Sequence, residues 1–282
     1  GLVRSVGDFG AQSTPPTHPG LLDWLAVDFI ESGWDVKRML KKLVTSKTYR
    51  RSSKIESMHR EKDSENELLA HAPRFRLQGE FICDHALAVN GLLNPMVGGP
   101  GVKPYQPANI WNEVSLNGGL RYKQDKGDKL YRRSMYTYWK RSSPMPNMLI
   151  FDSPSREKCV IQRQRTNTPL QALVTLNDPQ FLEAARAFAE RLLKSDKSDT
   201  AGRIDLAYRY ATARLATGRE IEILTQLYQK NLARFQSAPE TAKEFLKVGE
   251  SPRDESFDTS EHAAWMVVAQ TIMNLDESLT RN

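Results

Sequence analysis

Thr168-Pro-Leu-Gln-Ala-Leu-Val-Thr-Leu-Asn-Asp178-Pro-Gln-Phe181 holds two helix starts in close succession. In each, Thr168 or Asp178 stands directly before a proline. Such a side chain can accept a bond from a free first-turn amide, and proline's missing N–H costs nothing at the first helical position. The helix after Asp178 is predicted to run to about Lys194, because Phe181, Leu182, Ala185, Phe188, Ala189 and Leu192 recur at helical spacing. Three more helices are expected near 203–216, 219–236 and 259–275.

The N-terminal side reads in the same way. After a coil rich in Gly and Pro, Pro19 opens a helix with Thr17 or His18 as its cap, and Leu21, Leu22, Leu25, Ala26, Phe29 and Ile30 supply an apolar face. Gly33 stops it, and Asp35 caps a second helix carrying Val36, Met39, Leu40, Leu43 and Val44. The short gap between them predicts an αα-hairpin. Residues 51–66 read as a solvated connection. A third helix spans about Leu77 to Asn90 and ends at Gly91. Pro and Gly density from Asn94 to Asn117 predicts irregular structure, and the aromatic run Tyr131, Tyr136, Tyr138, Trp139 favours a short strand within 130–140. The expected fold is therefore mainly α, a helical domain with a small extended element and long irregular loops in its middle. It reads as a single domain over 1–282, subdivided as 1–93 helical, 94–166 insert and 167–282 helical.

Size and composition set limits. The 282 residues suffice for a sizeable core, and 26% charged with 39% hydrophobic content is ordinary for a globular chain. A mean hydropathy of -0.55 and the absence of a long apolar run argue against a membrane-spanning helix. The opening Gly1-Leu-Val-Arg has no signal-peptide character, and a first residue other than Met suggests a fragment or processed product. Cys83 and Cys159 would pair in an oxidising compartment or stay reduced, and nothing local decides. The pI near 9.2 invites a nucleic-acid reading, but the basic residues form no recognition stripe or known nucleic-acid motif.

Several motifs carry a resemblance. Pro16-Thr-His-Pro-Gly-Leu-Leu-Asp-Trp-Leu-Ala, Lys47-Thr-Tyr-Arg-Arg-Ser-Ser and Arg163-Gln-Arg-Thr-Asn-Thr-Pro-Leu-Gln-Ala-Leu-Val-Thr-Leu-Asn-Asp-Pro resemble the planctomycete C-terminal domain of unknown function numbered 1553. Gly1-Leu-Val-Arg with Asp8-Phe-Gly, and the ending Asn274-Leu-Asp-Glu-Ser-Leu, are similar to that family as well. Cys83 and Asn90 stand where the family pattern often has Arg and Ser. The resemblance implies an exported, extracytoplasmic parent protein, missing N-terminal context, and neighbouring domains that carry covalent haem or bind carbohydrate. It implies no established activity. No Cys-x-x-Cys-His occurs in the sequence, so no c-type haem is expected to attach to this chain itself.

The candidate site follows from charge. Between Arg132 and Arg165, eight Lys and Arg face only Asp152 and Glu157, so this stretch alone carries a net charge equal to the chain's +6. Arginine presents a planar fork that suits carboxylate, sulfate and phosphate and stacks on aromatic rings. Arg132, Arg133, Tyr136, Trp139, Arg163, Arg165, Asn167, Gln171 and Asp178 are accordingly the candidate ligand-binding residues, with His18 as a further candidate on chemical grounds. The alternative is structural: Arg163 and Arg165 bridge to Asp152, Glu157 or Asp178, and the amides satisfy loop carbonyls. Glu80 and Asp84 share a helix face, a spacing open to acid–base work, to a solvated face or to bonds with Arg74 and Arg76 nearby. His and Cys show no metal-ligand spacing. Three function classes remain: an interaction module docking on other domains of its parent, part of an enzyme acting on complex anionic polysaccharide, and a carbohydrate-binding module without chemistry.

Overall fold

The computed structural model describes residues 2–8, 10, 12–114, 119 and 121–281, apart from the side chains of Met58 and Arg60. Positions 115–117 of the stretch expected to be irregular, and Gly1 and Phe9 of the opening motif, lie outside the described residues. The fold is mainly α. Among the described residues one small sheet pairs the two-residue strands β1 (Phe75–Arg76) and β2 (Thr280–Arg281). No helix among the described residues is long and apolar enough to cross a membrane. The chain divides into two compact units, one of Gly1–Phe75, Cys159–Gln164 and Thr280–Asn282, the other of Arg76–Lys158 and Arg165–Leu279.

The first unit contains the expected αα-hairpin. Pro19 opens α1 (Pro19–Glu31), and Asp35 accepts from the Arg38 amide at 2.9 Å to cap α2 (Val36–Thr45). The backbone stop between them is Gly33, at φ +70, a left-handed conformation that costs glycine little. Asp28 ties the helices together through Lys42 at 2.6 Å and Arg38 at 3.0 Å, and Lys42 lies 4.6 Å over the Trp24 ring. His18 occupies the N-cap position of α1, but its ring does not cap; Nδ1 bonds instead with Thr17 Oγ1 at 2.9 Å. Residues 51–66 are not all connection: α3 (Ser57–Lys62) forms within them.

The second unit holds the core. α8 (Pro179–Leu193) and α12 (Thr259–Met273) pack along each other as its central pair. Their Ala184, Ala185, Ala189, Ala263, Ala264 and Ala269 are all fully buried and let the backbones approach closely, while Phe188, Leu192, Trp265 and Ile272 fill the space around them. α4 (Gly79–Asn90) ends at Gly91 in the left-handed conformation, as its sequence requires. α7 (Pro169–Asn177) and α8 start at their predicted prolines, although only Asp178 caps with its side chain; Thr168 does not. α9 (Thr200–Thr212) and α10 (Gly218–Ser237) complete the bundle with α11 (Pro239–Leu246), which the sequence reading missed. So it missed α5 (Ile110–Glu113), α6 (Pro146–Ile150) and α13 (Asp276–Leu279).

The short strand expected within 130–140 does not form. Gly127–Tyr131 and Ser134–Tyr136 are 3-10 turns, and only the isolated bridges Asn94 to Arg132 and Val102 to Thr137 remain extended. The reason lies in the facing segment. Pro100 and Pro104, two residues to either side of Val102, have no N–H to donate, so no ladder continues past that bridge, and beyond Asn94 the Met96 amide donates instead to the Asn94 side chain at 3.0 Å.

Candidate functional site

The basic stretch is not a free cationic surface. Arg132 is 3% exposed, and its guanidinium donates to the carbonyls of Met96, Gly98 and Pro100. Its plane lies 4.0 Å over the Tyr136 ring, whose hydroxyl accepts from the Gly98 amide at 2.8 Å. Arg132 and Tyr136 thus organise the loop around Gly98-Gly-Pro-Gly101, with the guanidinium supplying a donor to three of its carbonyls. Arg133 lies 3.6 Å from Asp84, which also accepts from the Ser134 amide at 2.6 Å. Trp139 donates from its indole to Ser155 O at 2.9 Å, with Arg156 stacked 4.7 Å above it and 4.0 Å from Glu80. Glu80 and Asp84 therefore anchor cations of the basic stretch, the structural reading of that pair.

Two contacts explain the Arg-Thr-Asn-Thr-Pro-Leu-Gln motif. Asp152 accepts from the Arg76 guanidinium at 2.5 Å, from the Thr166 amide at 2.7 Å and from the Thr166 hydroxyl. Gln171, 4% exposed, donates to Ile150 O at 2.9 Å and Thr166 O at 3.2 Å. The Gln171 amide thus satisfies loop carbonyls and is not presented to a ligand, and Asn177 similarly donates to Leu173 O at 2.8 Å. Arg165 and Asn167 are exposed on the same loop, and the charge of Arg165 reaches Arg76, where it adds to burial in lowering the guanidinium pKa. Arg163 and His18 belong to the first unit, where both are half-buried.

Asp178 is the one carboxyl of the candidate set with a raised pKa. Burial pushes it up to about 6, against the lowering effect of bonds from the Gln180 and Phe181 amides and from Asn147. Near it lies Cys83, whose thiol is driven far above its ordinary range by burial first and then by Asp178 and Asp84. A thiol so held stays protonated at neutral pH and is no nucleophile. Both cysteines are free, Cys83 buried and Cys159 exposed. Among the described residues no group of three or more His, Cys, Asp or Glu is placed to hold a metal ion.

The structure adds a feature that the sequence reading passed over. Trp111 lies 5.2 Å from Tyr122 and 5.9 Å from Tyr138 between ring centroids. Lys140 sits 4.6 Å and Lys103 5.6 Å over the Trp111 ring, and Lys103 also covers Tyr138 at 5.3 Å. A shallow cleft of about 480 Å³ beside it is lined by Tyr138, Trp139, Lys140 and Arg141, with Glu157 as its carboxylate. Lys103 and Trp111 fall in the stretch read only as irregular, so no periodic signal pointed to them.

Comparison with known proteins agrees with the motifs. The family model described as PSD1, protein of unknown function (DUF1553), matches residues 1–228, which leaves the Asn274–Leu279 ending beyond the matched part. No curated protein and no solved structure matches the chain. With four fifths of its length covered by that model, and the Arg163–Pro179 motif inside it, the chain belongs to the DUF1553 family of proteins of unknown function.

Proposed function

We propose that this chain is an interaction module that docks through its N-terminal hairpin onto another domain of its parent polypeptide. The observation that carries this reading is the burial of the first unit. No residue of α1 or α2 is buried, and Ala72 is the only buried apolar side chain among that unit's described residues. Leu21, Trp24, Val27 and Ile30 on α1, and Val36, Leu40, Leu43 and Val44 on α2, are all exposed. Helices of 13 and 10 residues are marginal in isolation and take their stability from a packed apolar face. An apolar surface of this extent marks a docking site. The family resemblance, with its multidomain, exported parents, supplies the occupant, and the absence of a nucleophile–base pair around Cys83 and Asp178 favours docking over catalysis.

The hairpin reading is tested by binding this chain in trans to the remainder of its parent protein. Trp24→Asp and Leu40→Asp are each expected to weaken that association at least ~10-fold, as loss of a buried anchor does, with helicity by circular dichroism unchanged. Association unaffected by both substitutions would end the proposal.

A second reading has its own observation, the aromatic and cationic cluster around Trp111 and Tyr138. The cleft-lining rings of Tyr138 and Trp139, with Lys140 and Arg141 beside them, suit an anionic polysaccharide, whose ring C–H faces stack while its acid groups pair. Binding to uronic-acid or sulfated polysaccharide should then be salt-sensitive and fall ~10-fold in Trp139→Ala. Indifference to salt and to that substitution, on a glycan array, would dismiss it.

A further inference from the structure

A second cationic site lies on the opposite side of the sequence from the basic stretch. α11, the loop after it and the start of α12 enclose a cleft of about 470 Å³. Arg186, Lys243, Lys247 and Arg253 line it together with Ser251 and Thr259, and Glu255 is the one carboxylate on its wall. All of these except Arg186 lie beyond the residues that the family model matches. We propose that this cleft binds a doubly charged tetrahedral oxyanion: phosphate or sulfate as the free ion, or a phosphate monoester.

Arg186 forms its floor. The side chain is 2% exposed, and its guanidinium donates to Ser251 O at 2.6 Å and Ser251 Oγ at 2.5 Å. Glu183, 3.9 Å away, offers partial neutralisation, but its Oε1 already accepts from Tyr131 Oη at 2.9 Å and the Ser251 amide at 2.6 Å. Nε of Arg186 is buried with no partner among the described residues. A buried charged donor left unmade is costly, and an oxyanion in the cleft supplies its acceptor.

The remaining cations are available. Lys243 pairs with Glu240 at 2.7 Å and Lys247 with Glu244, but these side chains are more than half exposed, and such pairs contribute little and break readily. Arg253 donates to the Thr259 hydroxyl at 3.5 Å, at the outer limit of a hydrogen bond. The loop is built to hold this shape: Gly249, at φ +85, has no room for a side chain, since a Cβ there would lie 2.3 Å from Glu183 Cδ. Four cations against one carboxylate in the wall favour a dianion over a single carboxylate. The planar Arg forks match the oxygen spacing of phosphate and sulfate.

The test is calorimetric titration of the intact chain with inorganic phosphate, with sodium sulfate, and with a sugar phosphate monoester, at constant ionic strength. Melting temperature alone is not the readout, because both salts stabilise proteins generally by exclusion. Saturable binding is expected for phosphate and sulfate, weakened about 10-fold in Arg253→Gln and in Lys247→Gln, neither of which removes a buried group. Binding of the monoester as tightly as the free ion identifies the cleft as a site for an ester on a larger molecule; its exclusion identifies a free-ion site. No saturable heat with either ion, or affinities unchanged in both variants, overturns the proposal.

Discussion

Glu183→Ala is expected to destabilise the protein by about 3–5 kcal/mol, the range for breaking a buried ion pair from one side. Glu183 is 1% exposed on α8, next to Arg186 at 2%. Its carboxylate accepts from the Tyr131 hydroxyl and the Ser251 amide, so truncation removes the acceptor both share and leaves the Arg186 charge uncompensated. The two tyrosines at this site report its polarity: burial first, then Glu183, pushes Tyr131 up to about 12, and Tyr105 is raised from the same two sources. Glu183→Gln keeps the volume and one acceptor oxygen, and should lose less than Glu183→Ala. Urea unfolding followed by circular dichroism measures both. A loss under about 1 kcal/mol in Glu183→Ala, the scale of an ordinary surface change, would show that these donors find other partners.

Asp152→Ala should cost about 3 kcal/mol on the same reasoning. The Arg76 and Asp152 side chains are 11% and 14% exposed, and Asp152 also holds the Thr166 amide and hydroxyl. Arg76 in turn donates to Thr166 O at 3.1 Å and to the carbonyls of Leu77 and Phe151. Removing the carboxylate therefore frees the loop before α7 as well as stranding a guanidinium. Two measurements follow. A double-mutant cycle of Arg76→Ala and Asp152→Ala should give a coupling of about 1–3 kcal/mol. Trypsin should cut after Arg165 faster in Asp152→Ala than in the parent chain. Additive losses with unchanged cleavage would mean that the motif is held by something other than this contact.

Much of the secondary structure follows from local rules. Pro19, Pro169 and Pro179 each start a helix where predicted, Asp35 and Asp178 cap with their side chains, and Gly33 and Gly91 sit at positive φ where a stop was read. α11 escaped because Ala238 is no capping residue, although Pro239 marks its start. The aromatic run at 131–139 has strand composition, but pairing depends on the partner segment, and a proline-rich neighbour offers too few donors.

The candidate site was legible only as charge. The sequence locates Arg132, Arg133, Tyr136 and Trp139 in one basic, aromatic stretch, but charge density does not say which guanidiniums face solvent. The fold turns Arg132 inward onto three carbonyls and puts Gln171 and Asp152 to work on the Thr166 loop. Conversely, Arg186 reads as one more polar residue of an amphipathic helix, and its role appears only when residues 243–259 close over it.

By itself the sequence determined a mainly α chain of the DUF1553 family, its principal helix starts and stops, and its excess of positive charge. These depend on backbone dihedrals, capping and periodicity, which act over a few residues. Tertiary structure alone decided which cations are spent on carbonyls and carboxylates, which line a cleft, and that α1 and α2 have exposed apolar side chains and no buried residue. Burial and pairing join residues far apart in sequence, so no local pattern encodes them.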